Sequence, residues 1–397
     1  MTHSQLDTLG AKLKSLDAEG LQRQRRTTLS PTAPNMVVDG RSMLTFCSND
    51  YLGLAADPRI TAALCEGALQ FGAGSGASHL ISGHSQAHAS LEARLRSMMQ
   101  PTMGTVDALY FCTGYLANLA ILSALADRTT TLFCEALNHA SLIDGARLSR
   151  ATVRIYPHND LDHLGTLLAA SPVDNKIVVT DSVFSMDGDL ADLPAILALC
   201  DRYNAWLLID DAHGFGVLGK QGRGALEHFS LSSPRIIYMG TLGKAAGVSG
   251  AFVAAHPTVI AWLIQQARPY IYSTASPPAL AHALLTSLDL IDSAEGSTRR
   301  QHLTQLIHHF HMHLSLRGWH LSPSSTPIQP IIIGANNDTM ALAAALCEDG
   351  ILVGAIRPPT VAAGTSRLRV TLSAAHSLSD VDRLIDRLHY YDQRGPL

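Results

Sequence analysis

The sequence predicts an α/β fold with a large domain built on a mostly parallel sheet and a smaller α+β domain at the C-terminal end. Two observations lead to this prediction. In the middle of the chain, short apolar runs alternate with helical patterns, as in strands that are covered on both faces. Near residue 290 this alternation ends in a long helical pattern. We therefore expect an N-terminal arm (residues 1–50), a large domain (51–289) and a small domain (290–397).

The composition is ordinary for a globular enzyme. The 397 residues are 47% hydrophobic and 16% charged, with a net charge of −4, so no basic surface for nucleic acid is expected. Residues 1–21 are polar and no apolar run is long enough to cross a bilayer, so neither a signal peptide nor a membrane segment is predicted. Six cysteines without a CxxC pair favour a reducing compartment, and we expect a cytoplasmic protein.

The predicted elements follow the chain in a regular order. The strands of the large domain are predicted at 108–112, 131–134, 176–180, 205–210, 236–239 and 250–254. Helices are predicted at 115–126, 140–148 and 193–203. In the small domain, helices are predicted at 291–316, 339–348 and 380–391, and strands at 329–333, 351–353 and 367–372. Ligands of a mostly parallel sheet bind beyond the carboxyl ends of its strands, where the polar residues described next lie.

Lys244 is the strongest single candidate for chemistry. It is one of five lysines, and it lies among small residues directly after the predicted strand at 236–239. A lysine that loses hydration there has its amine shifted towards the neutral, nucleophilic form, which can bind an aldehyde cofactor covalently. The alternative is a lysine that closes a strand–loop junction or binds a phosphate. That alternative would be favoured if Lys244 stood alone.

Asp210 and His213 provide the partners for such a cofactor. Asp210 ends the strand at 205–210, where a carboxylate is costly unless a cation meets it. A protonated pyridine nitrogen is such a cation, and its charge makes the ring an electron sink. His213, three residues further on, could reach the ring hydroxyl or the aldimine. Taken alone, Asp210 would be interpreted as a cap and His213 as a loop residue, but Lys244 at the end of the next strand favours the catalytic interpretation.

Other polar residues follow neighbouring strands. Gly114 and Tyr115 open a predicted helix, where backbone amides can hold a phosphate, and Thr241 offers a hydroxyl for the same task. Ser185 and His139 follow two other strands, and the imidazole of His139 could stack on a flat ring. Taken singly, each of these residues is more simply explained as a turn, cap or core residue.

Two groups of histidines could in principle bind a metal. His79, His84 and His88 form one group, and His309 and His313 form the other. Neither group has the cysteine or carboxylate neighbours of a typical zinc site, so no metal is predicted.

Taken together, these segments resemble the α-oxoamine synthases, pyridoxal-phosphate (PLP) enzymes of fold type I that condense an amino acid with an acyl thioester and release carbon dioxide. The similarity runs through nearly the whole chain and is carried by Ser48–Gly53, Asn138–Ser141, Asp187–Asp189, Asp210–Gly214, Gly222–Gly224 and Gly243–Lys244. It implies a seven-stranded sheet in the large domain, a PLP cofactor and a homodimer.

The resemblance also implies roles for the matched residues. Lys244 would bind the cofactor and move the α-proton, Asp210 would pair with the pyridine nitrogen and His213 with the ring oxygen. His139 would stack on the ring and touch the substrate. The other cofactor contacts would be Gly114, Tyr115, Ser185 and Thr241.

For the substrates, the resemblance implies that Asn49 and Arg369 hold the amino-acid carboxylate. Arg23 and Thr360 would meet the acyl substrate. Two neighbours compete with Arg23 for its place in that alignment, namely Arg25 and Arg26.

Within the family, some segments favour the branch that joins L-alanine to a pimeloyl thioester in biotin synthesis. They are Val183–Asp189, Gly247–Gly250, Ile356–Val361 and Gly364–Arg369. Whether the carrier is coenzyme A (pimeloyl-CoA) or acyl carrier protein (pimeloyl-acyl carrier protein) stays open. The alternatives are the sister reaction of glycine with acetyl-CoA, an aminotransferase that leaves the carboxylate in place, and a non-catalytic binding protein. The last is disfavoured because Lys244, Asp210 and His213 are all present.

Overall fold

The computed structural model of the chain describes residues 4–394 and divides them into two compact units. The small unit comprises the described residues up to Tyr51, Met186–Asp189 and those from His302 onwards, and the large unit comprises Leu52–Ser185 and Leu190–Gln301. The limits predicted for the arm and the two domains stay a prediction. Residues 1–3 of that arm and residues 395–397 of the C-terminal domain lie outside the described residues.

The described residues form helices and strands in the following order. The strands are β1 (Asn35–Val38), β2 (Arg41–Phe46), β3 (Asp107–Phe111), β4 (Thr131–Glu135), β5 (Thr152–Tyr156), β6 (Lys176–Asp181), β7 (Trp206–Asp210), β8 (Ile236–Thr241), β9 (Ala251–Ala255), β10 (His320–Leu321), β11 (Ile328–Gly334), β12 (Ile351–Ile356) and β13 (Ser366–Thr371). The helices are α1 (Gln5–Ala18), α2 (Pro58–Phe71), α3 (Gln86–Met103), α4 (Gly114–Leu125), α5 (Ala140–Ser149), α6 (Leu161–Ala169), α7 (Leu193–Arg202), α8 (Ala225–His228), α9 (Pro257–Gln266), α10 (Arg268–Ile271), α11 (Pro278–Ile291), α12 (Ala294–His313), α13 (Asn336–Glu348) and α14 (Leu378–Arg394). A single wide (π) helical turn covers His79–Gly83.

The large unit is built on a seven-stranded sheet in the order β3-β9-β8-β7-β6-β4-β5. Its strands β4 to β8 pair in parallel, whereas β9 pairs antiparallel with both β8 and β3. The mostly parallel, seven-stranded sheet therefore agrees with the prediction. In register, Asp210 lies opposite Asp181 of β6 and Met239 of β8, so the carboxyl ends of three strands meet at one edge.

Burial explains why the central strands could be predicted from the sequence. Every residue of β8 is buried, as are the last four residues of β7 and the last five of β6. Such continuous apolar runs are typical of parallel strands that helices cover on both faces. On one face they pack with α4 and α9, whose Ile121 and Leu263 lie in the same core. The edge strand β5 was not predicted, and four of its five residues are exposed.

The small unit contains a six-stranded sheet in the order β1-β2-β12-β13-β11-β10. The β2–β12 pair is parallel and the others are antiparallel. Helix α14 buries Val381, Leu384, Ile385 and Leu388, which follow the spacing of one helical face. Residues 35–46, which the sequence placed in the arm, thus form the two strands at one side of this sheet.

One predicted element needs correction. The helix predicted at 291–316 begins only at Ala294 and ends at His313, after a break from α11 at Asp292 and Ser293. The break is stabilised because the Ser293 hydroxyl accepts a hydrogen bond from the Gly296 amide at 3.2 Å, as a helix N-cap does. None of the helices in residues 4–394 combines the length and apolar character needed to span a bilayer.

Candidate active site

Lys244 and His213 are in direct contact in the large unit. Lys244 follows β8 by three residues and His213 follows β7 by three, and these two strands are parallel neighbours. The Lys244 Nζ lies 2.8 Å from the His213 Nε2. His213 is buried and Lys244 is partly buried. The structure therefore brings together the two residues that the sequence placed at the ends of neighbouring strands.

The loop that carries Lys244 is held by its own backbone. The amide of Leu242 donates to the Gly250 carbonyl at 2.8 Å, and the amide of Gly247 donates to the Lys244 carbonyl at 2.8 Å. The hydroxyl of Thr241 also donates to the Gly250 carbonyl, at 3.1 Å. The loop thus returns directly into β9 and leaves Lys244 at the edge of the sheet.

Asp210 is fixed by a buried asparagine. The Asn118 Nδ2 donates to the Asp210 Oδ2 at 2.7 Å and to the Ser141 Oγ at 2.9 Å, and the Ala212 amide donates to the Asp210 Oδ1 at 2.9 Å. Asn118 and Asp210 are both buried. These donors are neutral and orient the carboxylate without cancelling its charge. The site therefore suits a cationic ring nitrogen, which fits PLP.

His139 is held on the same edge by its neighbours. It caps the N-terminus of α5, where its Nδ1 accepts from the Ser141 amide at 3.3 Å. Its own amide donates to the Asp181 Oδ2 at 2.9 Å. Partial burial lowers the pKa of His139, Lys244 lowers it further and Asp210 opposes both. A neutral imidazole with an accepting Nδ1 is thus favoured.

Asp181 is a site residue that the sequence interpretation missed. It ends β6 opposite Asp210, and its carboxyl is completely buried. Burial and the neighbouring Asp210 raise its pKa well above its usual range. The rule that identified Asp210, a carboxylate at the end of a buried strand, would also have found Asp181. Asn118 offered a weaker sign, as a lone asparagine inside an apolar helix.

The first turn of α4 supplies amides for an anion. Thr113 caps this helix and accepts from the Leu116 amide at 3.2 Å, and Gly114 and Tyr115 are the first helical residues. Amides in a first helical turn point away from the helix and suit a phosphate. The Tyr115 hydroxyl donates to Asp144, and its ring lies edge-on to His139 with centroids 6.5 Å apart. Ser185 is partly buried in the turn after β6.

In the small unit, Asn49 and Arg369 are in contact. The Arg369 Nη1 donates to the Asn49 Oδ1 at 3.2 Å and to the Thr371 Oγ1 at 3.2 Å. The Tyr51 hydroxyl also donates to the Asn49 Oδ1, at 3.2 Å. Arg369 is buried on β13, so its guanidinium is held in one place by these partners.

Arg23 and Thr360 line one cavity of the small unit, with a volume of about 280 Å³. Arg357 borders the same cavity, and burial together with Arg23 lowers the pKa of Arg357. Arg25 and Arg26 line a different cavity of about 530 Å³. Arg23 therefore shares a cavity with Thr360, whereas Arg25 and Arg26 line the other one.

Residues 41–388 match the family model of aminotransferase class I and II. The chain belongs to this family. Within it, an 8-amino-7-oxononanoate synthase from Janthinobacterium sp. (strain Marseille) is 64% identical over 386 residues, which cover 97% of this chain and 98% of the relative. This similarity confirms the resemblance to the α-oxoamine synthases that the sequence segments carried.

Solved structures of the same family share the fold. A serine palmitoyltransferase from Sphingomonas wittichii superimposes with a TM-score of 0.90 at 29% identity, covering 98% of both chains. An 8-amino-7-oxononanoate synthase from Francisella tularensis gives a TM-score of 0.74 at 29% identity, covering 88% of this chain and 97% of the other. These likenesses confirm fold type I. Because enzymes with different substrates share it, the fold alone does not choose the reaction.

Proposed function

We propose that this chain is a PLP-dependent acyltransferase that condenses L-alanine with a pimeloyl thioester. The products are 8-amino-7-oxononanoate, carbon dioxide and the free carrier thiol, and the reaction belongs to biotin synthesis. The proposal rests on the 64% identity to an 8-amino-7-oxononanoate synthase over 97% of the chain. It also rests on one observation in the structure, the contact between Lys244 and His213 at 2.8 Å after the neighbouring parallel strands β8 and β7, the second of which ends at Asp210.

The cofactor supplies an electron sink when it is bound. Asp210 would hold its ring nitrogen in the charged form, since Asn118 and the Ala212 amide fix the carboxylate at the end of β7. Lys244 would anchor the cofactor, and its Nζ would move the α-proton of the amino acid. His213, which contacts the Lys244 amine, would pair with the ring oxygen, and His139 would stack on the ring.

Other residues anchor the ends of the cofactor and the substrates. The first-turn amides of Gly114 and Tyr115 and the hydroxyl of Thr241 would hold the cofactor phosphate. Ser185 would make a further contact with the cofactor. In the small unit, we assign Asn49 and Arg369 to the amino-acid carboxylate, since a buried guanidinium binds a carboxylate in two-point fashion. We assign Arg23 and Thr360 to the acyl substrate.

We also propose a cytoplasmic homodimer with the domain limits given by the sequence. All six cysteines lie within the described residues and are unpaired, which fits a reducing compartment. Large apolar side chains of the large unit stand exposed, with Leu69 at 90%, Ile81 at 80% and Tyr272 at 71%. Such exposure supports a subunit interface, which light scattering of the purified protein would measure.

A matrix of substrates tests the proposed reaction. L-alanine or glycine is paired with pimeloyl-CoA, pimeloyl-acyl carrier protein or acetyl-CoA, and free thiol and product mass are followed. The proposal predicts product only with alanine and a pimeloyl donor. Turnover with glycine and acetyl-CoA would move the chain to the sister reaction, and silence with every donor on cofactor-loaded protein would contradict the proposal.

A further inference from the structure

A chain of hydrogen bonds joins Asp210 to His139 inside the large unit. The Asn118 Nδ2 lies 2.7 Å from the Asp210 Oδ2 and 2.9 Å from the Ser141 Oγ. The same Oγ lies 2.7 Å from the His139 Nδ1. Asn118 and Ser141 are both completely buried. Two residues that the proposed function places against the cofactor ring are therefore connected through side chains that are shielded from bulk water.

The charge of Asp210 fixes which way the Asn118 amide faces. A carboxylate only accepts hydrogen bonds, so the NH₂ group of Asn118 must face Asp210 and its oxygen must face away. The Asn118 Oδ1 is buried and accepts a hydrogen bond from none of residues 4–394, so nothing on that side competes with the carboxylate. The second hydrogen of the same NH₂ group is therefore the one that points at the Ser141 Oγ.

Ser141 passes this direction on to His139. Because its Oγ accepts from Asn118, its own hydroxyl hydrogen is left for another acceptor, and the acceptor that it meets is the His139 Nδ1. The Ser141 amide donates to the same Nδ1 at 3.3 Å. Since Nδ1 accepts from both groups, the hydrogen of a neutral imidazole lies on Nε2.

Two further neighbours of His139 leave this arrangement in place. Asp181 accepts from the backbone amide of His139 at 2.9 Å, so it holds the main chain and not the ring. The Tyr115 ring lies edge-on to the imidazole, and the Tyr115 hydroxyl is bonded to Asp144. Neither contact uses a nitrogen of the imidazole.

The network also opposes a positive charge on the imidazole. Protonation would turn the His139 Nδ1 into a donor, and the Ser141 hydroxyl hydrogen would then lose its acceptor. Burial and Lys244 act in the same direction, since they lower the pKa of His139, whereas Asp210 raises it. The neutral ring with its hydrogen on Nε2 is therefore the form that fits all of these neighbours.

From this geometry we infer that Asn118 and Ser141 are positioning residues that hold His139 as the tautomer with its hydrogen on Nε2. His139 then meets the substrate as a hydrogen-bond donor and not as a base, because the lone pair of Nδ1 is already used by Ser141. Such a donor suits an oxygen acceptor, either the amino-acid carboxylate or the thioester carbonyl. The place of the substrate rests on the proposed function, whereas the tautomer is a property of the chain itself.

The tautomer is measured on the PLP-loaded protein by nitrogen NMR with ¹⁵N-labelled histidine, and His139→Asn identifies the His139 signals by their loss. We expect the hydrogen on Nε2 at neutral pH. Asn118→Asp keeps the shape of the side chain and should reverse the network. The new carboxyl oxygen would accept from Ser141, whose Oγ would then accept from a hydrogen on the His139 Nδ1. Hydrogen on Nδ1 in the wild type, or an unchanged tautomer in Asn118→Asp, would overturn the inference.

Ser141→Ala removes one of the two donors to Nδ1. The ratio of the two tautomers should shift by about 3- to 10-fold towards hydrogen on Nδ1, the contribution of one ordinary hydrogen bond. Ser141→Thr keeps the hydroxyl and should keep the wild-type ratio. Ser149→Ala is the matched control, because Ser149 is another buried serine of α5, whose hydroxyl donates to the Ala146 carbonyl at 2.7 Å. Equal ratios in Ser141→Ala and the control would overturn the inference.

The tautomer and the reaction are measured separately. The expected tautomer in a protein that forms no product from any donor would refute the proposed reaction and leave the network intact. Product from alanine and a pimeloyl donor, with the hydrogen on the His139 Nδ1, would refute the network alone. If Asn118→Asp does not fold, the wild-type signal and the Ser141 variants still decide.

Discussion

At the scale of single residues, the chain uses two adjacent carboxylates in different ways. Asp210 faces the cofactor end of the sheet and is oriented by Asn118. Asp211 points into the core, where it accepts from the Tyr238 hydroxyl at 2.6 Å and from the Ala225 amide at 2.8 Å. Burial raises the pKa of Asp211 to about 6. Of these two neighbours in sequence, Asp210 is therefore the one proposed to serve chemistry, and Asp211 serves packing.

Asp210→Asn is predicted to lower kcat about 100-fold or more, because an amide cannot keep the ring nitrogen charged. Cofactor retention should change much less, since the anchor at Lys244 is intact. Asp211→Asn should instead leave kcat nearly unchanged and lower the melting temperature. The new side-chain NH₂ group would face the Tyr238 hydroxyl or the Ala225 amide, which are themselves donors. Steady-state kinetics, cofactor absorbance and thermal melts of both variants check this. Equal kcat in Asp210→Asn and the wild type would refute the role of Asp210.

Lys244→Ala is predicted to abolish turnover, with a loss of about 1,000-fold or more. The substitution removes both the cofactor anchor and the amine that moves the α-proton. Loss of the cofactor's covalent attachment is measured by borohydride reduction followed by peptide mass. Lys220→Ala is a control, since Lys220 lies outside the proposed site and should keep the wild-type rate. Substantial residual activity in a clean Lys244→Ala preparation would reject the assignment.

Single residues also show where prediction from sequence ended. Lys244, Asp210 and His213 were identifiable as candidates because each lies at or just after the end of an apolar strand, and strand ends of a parallel sheet meet. Asn118 was not identifiable from sequence, because its role depends on a hydrogen bond to Asp210, which is 92 positions away in sequence.

At the scale of elements, the loop between β8 and β9 depends on Gly247. Its φ of +69° is a conformation that residues with side chains rarely adopt, and a side-chain carbon would lie 2.6 Å from the backbone of Leu54 and Ala55. The loop carrying Lys244 is therefore packed directly on another segment of backbone.

Gly247→Ala is predicted to destabilise the protein by about 2–4 kcal/mol, from backbone strain and overpacking together. Gly243→Ala is the matched control in the same loop, because its nearest neighbour would be 3.9 Å away. Urea unfolding measures both free energies. A Gly247→Ala variant as stable as the control would contradict the packing argument.

A charged network joins α2 to α12. The Arg59 Nη1 lies 2.8 Å from the Glu295 Oε2 and its Nη2 lies 2.8 Å from the Asp57 Oδ2. Arg299 binds Glu295 at 2.8 Å and the Leu52 carbonyl at 2.8 Å. The hydrogen bonds from Arg59 and Arg299 lower the pKa of Glu295 from 4.5 to about 2.

Glu295→Gln is predicted to cost at most about 1 kcal/mol at neutral pH, because the pair is exposed to solvent and screened. The folded-state pKa is the lower one, so this stability is fully present above about pH 4.5 and is lost as the pH falls towards about 2. The difference between wild type and variant in urea unfolding should therefore shrink over that range. Glu348→Gln, at a side chain 78% exposed, serves as the control. A gap that widens on acidification would contradict the sign.

The helices and strands differed in how accurately the sequence predicted their bounds. The buried strands were predicted within one or two residues, as at 205–210 against Trp206–Asp210. The edge strand Thr152–Tyr156 was missed because its exposed residues lack an apolar run. The predicted helix at 291–316 ran too far at both ends, since the cap at Ser293 depends on a short hydrogen-bonded turn rather than on periodicity.

At the scale of the whole molecule, the fold and the reaction are supported by different observations. The serine palmitoyltransferase and the 8-amino-7-oxononanoate synthase both share this fold, each at 29% identity. Sequence similarity of 64% over nearly the full chain separates the two branches, since substrate choice depends on individual residues. The sequence segments that resemble the α-oxoamine synthases therefore give more information about the reaction than the arrangement of the sheets does.

The central claim is a condensation that removes the amino-acid carboxyl group. Carboxyl-labelled L-alanine is supplied to the PLP-loaded protein with whichever pimeloyl donor, pimeloyl-CoA or pimeloyl-acyl carrier protein, supports turnover. Labelled carbon dioxide, free thiol and 8-amino-7-oxononanoate are quantified in one reaction. The account predicts that the three appear in equal amounts with the wild type and that none appears with Lys244→Ala. Amino transfer with the label kept in the organic acid would contradict it and identify an aminotransferase.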